Sequence, residues 1–98
     1  MIYHIATSQE WNLHLTNATY EPDAFSKEGF IHCSTKAQVP GVLQRHYAGV
    51  KNLILLHIDE SKLTVSLNYE AATNNELFPH VFGPINKDAI VTVENLGE

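Results

Sequence analysis

The chain of 98 residues is 44% hydrophobic and carries six lysine and arginine against eleven aspartate and glutamate residues, a formal charge of -5. That length predicts a single domain, residues 1–98, with one core. The basic residues are scattered, which argues against a nucleic-acid duplex as partner, because duplex binding draws on a concentrated positive surface. We therefore expect a small-molecule ligand.

A single cysteine, Cys33, excludes an internal disulfide and fits a reducing compartment. No run approaches the roughly 18 to 20 apolar residues of a membrane span, and the polar start lacks a basic region followed by an apolar one. We expect a cytoplasmic monomer with no membrane partner.

The first half of the chain predicts a strand, a helix, a loop and a second strand. "MIYHIAT" is rich in strand-forming residues, and Thr7 with Glu10 has the spacing of a capping box at a helix start. Residues 16–29 contain asparagine, proline and glycine without a sustained period, which predicts a loop. "GFIHCS" then predicts a short strand ahead of a turn at residues 35–39 and a helix from about residue 40 to 48.

The second half predicts mainly strands. "NLILLHID" is a continuous apolar run, typical of a strand covered on both faces and placed at the sheet centre. "LTVSLNYE" alternates as a strand with one wet face, and "HVFG" and "AIVTVENL" predict two more strands. About six strands and two helices without regular alternation indicate a small α+β domain with a mixed or antiparallel sheet.

Three of the six histidines share a setting. His4, His32 and His80 each lie on a predicted strand beside an aromatic or turn residue. One such histidine alone is more often a half-buried structural residue, but three together make a shared cleft as good an interpretation. The other three keep the structural interpretation, with one in the core and two on helix surfaces: His57, then His14 and His46.

Strand parity separates His32 from its neighbour Cys33. Alternate side chains share a face, so His32 should lie with Phe30 and Ser34 while Cys33 faces away. Cys33 is a candidate nucleophile before a helix start, but a buried free thiol is the better interpretation.

A zinc site is a weaker alternative. It would need His4, His32, His80 and a carboxylate such as Glu70 to converge, and the sequence has no closely spaced ligand pair.

Three polar residues have both structural and binding interpretations. Ser34 and Thr35 can cap the following turn, Thr35 together with Gln38, yet the same helix start can accept a phosphate or a ribose hydroxyl. Glu70 ends a strand on its wet face, where it is either a solvated carboxylate or part of a cleft.

The motifs "IYHI", "GFIHCST", "LILLHID" and "YE" ahead of "FPHVFGPI" resemble, in this order, the small bacterial family catalogued as domain of unknown function 952. The resemblance spans nearly the whole chain. It implies no activity, because that family has none established.

The order of elements is also similar, more distantly, to the ADP-ribosyltransferase fold. That resemblance implies that His4 holds a ribose hydroxyl of NAD and that Phe30 or His32 lies near the nicotinamide. His80 stands where those enzymes carry a glutamate that stabilises the ribosyl cation. An imidazole does not supply that negative charge, so Glu70 would have to do so.

We therefore expect a cleft that binds a nucleotide-like or NAD-like small molecule and acts at a ribose or glycosidic carbon. His4, His32, Glu70 and His80 are the candidate catalytic residues, and Phe30, Ser34 and Thr35 the candidate ligand contacts. No cofactor is firmly implied, although NAD is a possible substrate. A non-catalytic binding module and a metal-dependent hydrolase are the alternative hypotheses.

Overall fold

The computed structural model describes residues 1–97, and its first sheet has the predicted apolar strand at its centre. Strand β1 (Ile2–Thr7) pairs antiparallel with β4 (Leu53–Ile58), and β4 pairs antiparallel with β8 (Ile90–Asn95). The β1–β4–β8 order confirms β4 as the central strand.

Two further sheets complete the strand set, and every strand pairing is antiparallel within residues 1–97. A three-stranded sheet has the order β3–β6–β5, and a two-stranded ribbon joins β2 to β7. The bounds of these strands are β2 Thr19–Tyr20, β3 Ile31–His32, β5 Leu67–Ala71, β6 Leu77–Val81 and β7 Ile85–Asn86.

Two of the helices begin where the sequence predicts. Helix α1 (Ser8–Asn12) follows Thr7, whose Oγ1 accepts from the backbone N–H of Glu10 at 3.1 Å. Helix α3 (Val39–His46) carries its proline in the first turn, where the missing N–H costs nothing. Short 3-10 turns cover Lys36–Gln38, Glu60–Lys62, Thr73–Asn75 and Lys87–Ala89.

Strand β4 divides the core into two apolar clusters. Ile54, Leu56 and Ile58 belong to one cluster, and Leu53 and Leu55 belong to the other. Successive side chains of a strand point to opposite faces, so this division confirms a strand covered on both sides. No helix of residues 1–97 is long and apolar enough to cross a membrane.

The prediction of six strands and two helices was too low, since the described residues form eight strands and three α-helices. The segment predicted as a loop contains β2 and helix α2 (Asp23–Glu28). Helix α2 ends at Gly29, whose φ of 83° lies in the left-handed region and whose N–H donates to the Phe25 carbonyl at 2.8 Å. Six residues are too few to establish a helical period.

The strand predicted over residues 63–70 is shorter than expected and begins at Leu67. The backbone before it turns aside, and the N–H and Oγ1 of Thr64 donate to Asn86 Oδ1 at 3.1 and 3.3 Å. The alternating sequence therefore describes only its second half as paired strand. His57 is likewise half-buried and bonded to Glu94, not enclosed in the core as predicted.

Candidate functional site

Three strands bring His4, His32 and His80 together. In the β3–β6 pair, His32 lies directly opposite His80. Strand β1 reaches the same place because Tyr3 forms an isolated bridge with Ser34, just beyond β3. The Nδ1–H of His4 then donates to the backbone carbonyl of His32 at 2.8 Å. Three histidines separated by 28 and 48 positions thus form one cluster.

A hydrogen-bonded chain runs from a carboxylate through two imidazoles. The Nδ1–H of His80 donates to Glu70 Oε1 at 2.7 Å, across the β5–β6 pair. The Nε2 of His80 faces Nδ1 of His32 at 3.3 Å. The order of the chain is Glu70, His80, His32.

The partners define the tautomers of all three rings. A carbonyl and a carboxylate only accept, so His4 and His80 both carry hydrogen on Nδ1. A neutral His80 then accepts at Nε2, and the matching donor is the Nδ1–H of His32. The Nε2 atoms of His4 and His32 remain acceptors, and neither bonds another part of residues 1–97.

Burial keeps these two acceptors uncharged. Burial lowers the pKa of His4, against the smaller opposing effects of the His32 carbonyl and the Glu10 carboxylate. The pKa of His32 falls from 6.5 to about 4, mainly by burial and further by the neighbouring His80 and His4 rings. Desolvation disfavours the charged imidazole, so both rings are neutral at pH 7.

Aromatic side chains hold the rings of the chain in place. Phe30 stacks on His80 with ring centroids 4.0 Å apart and an angle of 16° between the rings. Phe78 contacts His32 at 4.9 Å, and the His32 and His80 rings lie 5.3 Å apart. These contacts restrict ring rotation, so the free nitrogens keep a defined direction.

The histidine cluster opens into a cavity of about 600 Å³, which we call the cleft. Strands β1, β3 and β6 contribute its polar residues, while helices α2 and α3 and the end of β5 contribute walls. The residues that line it are His4, Ile5, Pro22, Ala24, Glu28, Phe30, Ile31, His32, Ser34, Val42, His46, Tyr47, Ala71, Ala72 and His80.

Five of the seven predicted site residues line the cleft: His4, Phe30, His32, Ser34 and His80. The other two lie outside its lining. Glu70 stands behind His80, to which it is bonded. Thr35 begins the 3-10 turn, where its N–H donates to Gln38 Oε1 at 2.9 Å, as the predicted capping box requires.

Sequence reasoning missed Glu28 and His46. Glu28 lies at the end of α2, in the segment predicted as a loop. His46 was interpreted as a helix-surface residue, and it is exposed, but it also lines the cleft. It is four positions after the buried Val42, so the spacing along one helix face was a usable signal.

Cys33 takes the structural interpretation. It is fully buried in the core cluster that contains Ile31, as strand parity predicts, and burial raises the pKa of its thiol. A neutral buried thiol is a poor nucleophile.

Within residues 1–97 no group of three His, Cys, Asp or Glu side chains is placed to hold a metal ion. Both ring nitrogens of His80 are already engaged in the hydrogen-bonded chain. The arrangement therefore gives the zinc hypothesis no support.

Fold and cleft together define a small antiparallel α+β domain whose histidines meet in one open cavity. A family model described as "Protein of unknown function (DUF952)" matches residues 5–93. The chain belongs to this family, as its motif order predicts.

Solved structures of protein CC0527 from Caulobacter crescentus are similar to this chain. A crystal structure has a TM-score of 0.87 and 26% identity, covering 96% of this chain and 83% of that chain. A solution NMR structure has a TM-score of 0.84 and 27% identity, covering 98% and 84%. A comparison with curated proteins gives no match.

Proposed function

We propose that the cleft binds a nucleotide-like or nucleoside-like small molecule, with His4, His32 and Ser34 as its polar contacts. The observation that carries this proposal is that three histidine-bearing strands open into one cavity of about 600 Å³. Small-molecule sites commonly enclose about 300–1,000 Å³ and combine apolar walls with a few convergent polar groups. This cleft has both features.

The resemblance to the ADP-ribosyltransferase fold is part of the proposal. In it, His4 accepts a ribose hydroxyl at Nε2, and NAD is a candidate substrate. Two observations support this role: His4 lies on the first strand, and its Nδ1–H is held by the His32 carbonyl at 2.8 Å. A fixed tautomer presents a hydrogen-bond acceptor to the cleft.

The proposed reaction is hydrolysis at the ribose carbon that carries nicotinamide. Water forms the new C–O bond, and the electron pair of the broken C–N bond leaves with nicotinamide. The water proton passes to Nε2 of His32, and the Nδ1 proton of His32 passes to Nε2 of His80. The resulting His80 imidazolium is stabilised by Glu70, so no proton is left unpaired.

This scheme gives Glu70 a different role from the one the sequence suggests. A carboxylate behind His80 positions and charges the relay, and does not face the ribosyl cation directly. The carboxylate that lines the cleft is Glu28.

A non-catalytic binding module is the second candidate. The same observation favours it, because Glu70 lies outside the lining and the deep end of the cleft therefore offers no carboxylate to an oxocarbenium ion. The two candidates share the ligand and differ in turnover.

Histidine-ring NMR during titration with NAD, ADP-ribose and nicotinamide tests binding. We expect the His4, His32 and His80 signals to move while those of His57, on the far strand pair, stay in place. Unmoved cleft signals at millimolar ligand would remove the nucleotide hypothesis.

Release of nicotinamide over hours then distinguishes the enzyme from the binder. Turnover should disappear in His32→Asn, which keeps a polar atom near Nδ1 but removes the free Nε2. Binding without release by the wild-type protein supports the binding module.

A further inference from the structure

We propose that the cleft selects an uncharged or cationic nucleoside over its phosphorylated form. This inference rests on the proposed function, since it specifies the ligand class of the same cleft. It makes the absence of phosphate, and not its presence, the feature by which the ligand is recognised.

The charges around the cleft are the first argument. Among the described residues that line it, Glu28 is the only Asp, Glu, Lys or Arg. The nearest candidate cation on α3 is Arg45, whose guanidinium folds back against Gly41 on its own helix. Val42 and His46 form the lining from α3, one position further round the helix. A buried phosphate would therefore have no fixed cation in the lining to pair with.

The polar atoms at the deep end are the second argument. The Nε2 atoms of His4 and His32 are acceptors, and both rings are neutral at pH 7. Acceptors match the hydroxyl groups of a sugar, which donate, and they oppose phosphate oxygens, which only accept. Ser34 is buried beside them, with its backbone fully engaged by Tyr3 at 2.7 and 2.8 Å. Its hydroxyl adds one adaptable partner.

The position of Glu28 is the third argument. An acidic side chain in the last turn of a helix is unfavourable beside the partial negative charge there, so folding gives Glu28 no advantage. Its charge reaches the opposite wall: burial chiefly raises the pKa of Tyr47, and the carboxylates of Glu10 and Glu28 raise it further. Glu28 thus attracts a cationic group in the cleft and repels an anionic one.

Two ligand pairs that differ by one phosphate test the inference. Isothermal titration calorimetry at pH 8 and low salt compares nicotinamide riboside with nicotinamide mononucleotide, and adenosine with AMP. At that pH an ordinary histidine such as one on the rim is uncharged. We expect each nucleoside to bind about tenfold more tightly than its nucleotide, with the ratio shrinking as salt screens the repulsion.

Two variants sharpen the test. Glu28→Gln should reduce the preference in both pairs to about threefold or less. Glu21→Gln, an exposed glutamate outside the lining, removes the same charge nearby and should leave the preference intact.

The outcomes separate this inference from the proposal beneath it. Nucleotides that bind as tightly as their nucleosides, or more tightly, overturn the charge selection while leaving the cleft as a nucleotide site. Failure of all four compounds to bind at millimolar concentration, with unmoved His4 and His32 signals, overturns both.

Discussion

Two imidazole–carboxylate pairs with nearly the same local geometry lie on different sheets of this protein. His80 and Glu70 are 2.7 Å apart, and His57 and Glu94 are 2.8 Å apart. In each pair the glutamate lies diagonally across an antiparallel register, two positions from the residue opposite the histidine. Strand pairing alone is therefore enough to form such a contact.

The surroundings of the two rings differ. The His80 side chain is 8% exposed, stacked on Phe30 and bonded through its second nitrogen to His32. The His57 side chain is 24% exposed and meets the edge of Tyr3 at 4.9 Å. The comparison teaches that a paired histidine becomes part of a candidate site through what its second nitrogen faces, not through its carboxylate.

Truncation of the two histidines should separate the pairs most strongly. His80→Ala removes a stacked, doubly bonded ring from a nearly closed site and should lower the free energy of unfolding by about 2–3 kcal/mol. His57→Ala removes a half-exposed ring and should cost less than about 1 kcal/mol. Urea unfolding at pH 7.4 measures both. Equal losses would mean that the His80 environment contributes no more stability than an ordinary surface pair.

Acid should destabilise the fold through the cleft histidines. The pKa of His32 in the folded protein is about 4, below its unfolded value of 6.5, and burial lowers the pKa of His4 as well. The unfolded state therefore binds more protons, so stability is fully present above about pH 6.5 and is lost as pH falls towards 4. For His32 the loss should be on the order of 1–2 kcal/mol, because water partly screens the ring.

The difference between wild type and His32→Asn isolates that contribution. Urea midpoints at half-unit intervals from pH 7.5 to 4 should show a shallower acid slope in the variant. Parallel curves for the two proteins would contradict the assigned protonation of His32.

The sequence predicted the parts of this fold that rest on local pattern. The apolar run of β4, the alternation that separates His32 from Cys33, and the helix start after residue 35 are all confirmed. Local periodicity could not predict α2, because six residues span less than two turns. The wall that carries Glu28 was lost with it.

Convergence of the histidines could only be hypothesised from sequence. Strand β3 has two residues, and its register with β6 depends on a partner 48 positions away, on which the sequence pattern of β3 carries no information. Glu70 was predicted to face a cleft or solvent. It does neither alone, since 46% of its side chain is exposed while its Oε1 bonds His80.

The matched substitutions Glu70→Gln and Glu94→Gln make the smallest change to the two pairs, since the amide keeps an oxygen that accepts from the imidazole. Each should change the free energy of unfolding by less than about 1 kcal/mol, because both carboxylates are about half exposed. The effect beyond the pair should differ. Glu70→Gln should shift the ring ¹⁵N signals of His32, reached through His80, whereas Glu94→Gln should leave them unchanged.

If nicotinamide is released, Glu70→Gln should lower kcat about tenfold with KM little changed, because a charge that acts through His80 stabilises the relay and not the bound ligand. Glu70→Asp should restore part of the rate. A purely structural Glu70 would instead leave the His32 signals and kcat unaltered in the glutamine variant, and the chain of Glu70, His80 and His32 would then be a static hydrogen-bond network that transmits no change in charge to the cleft.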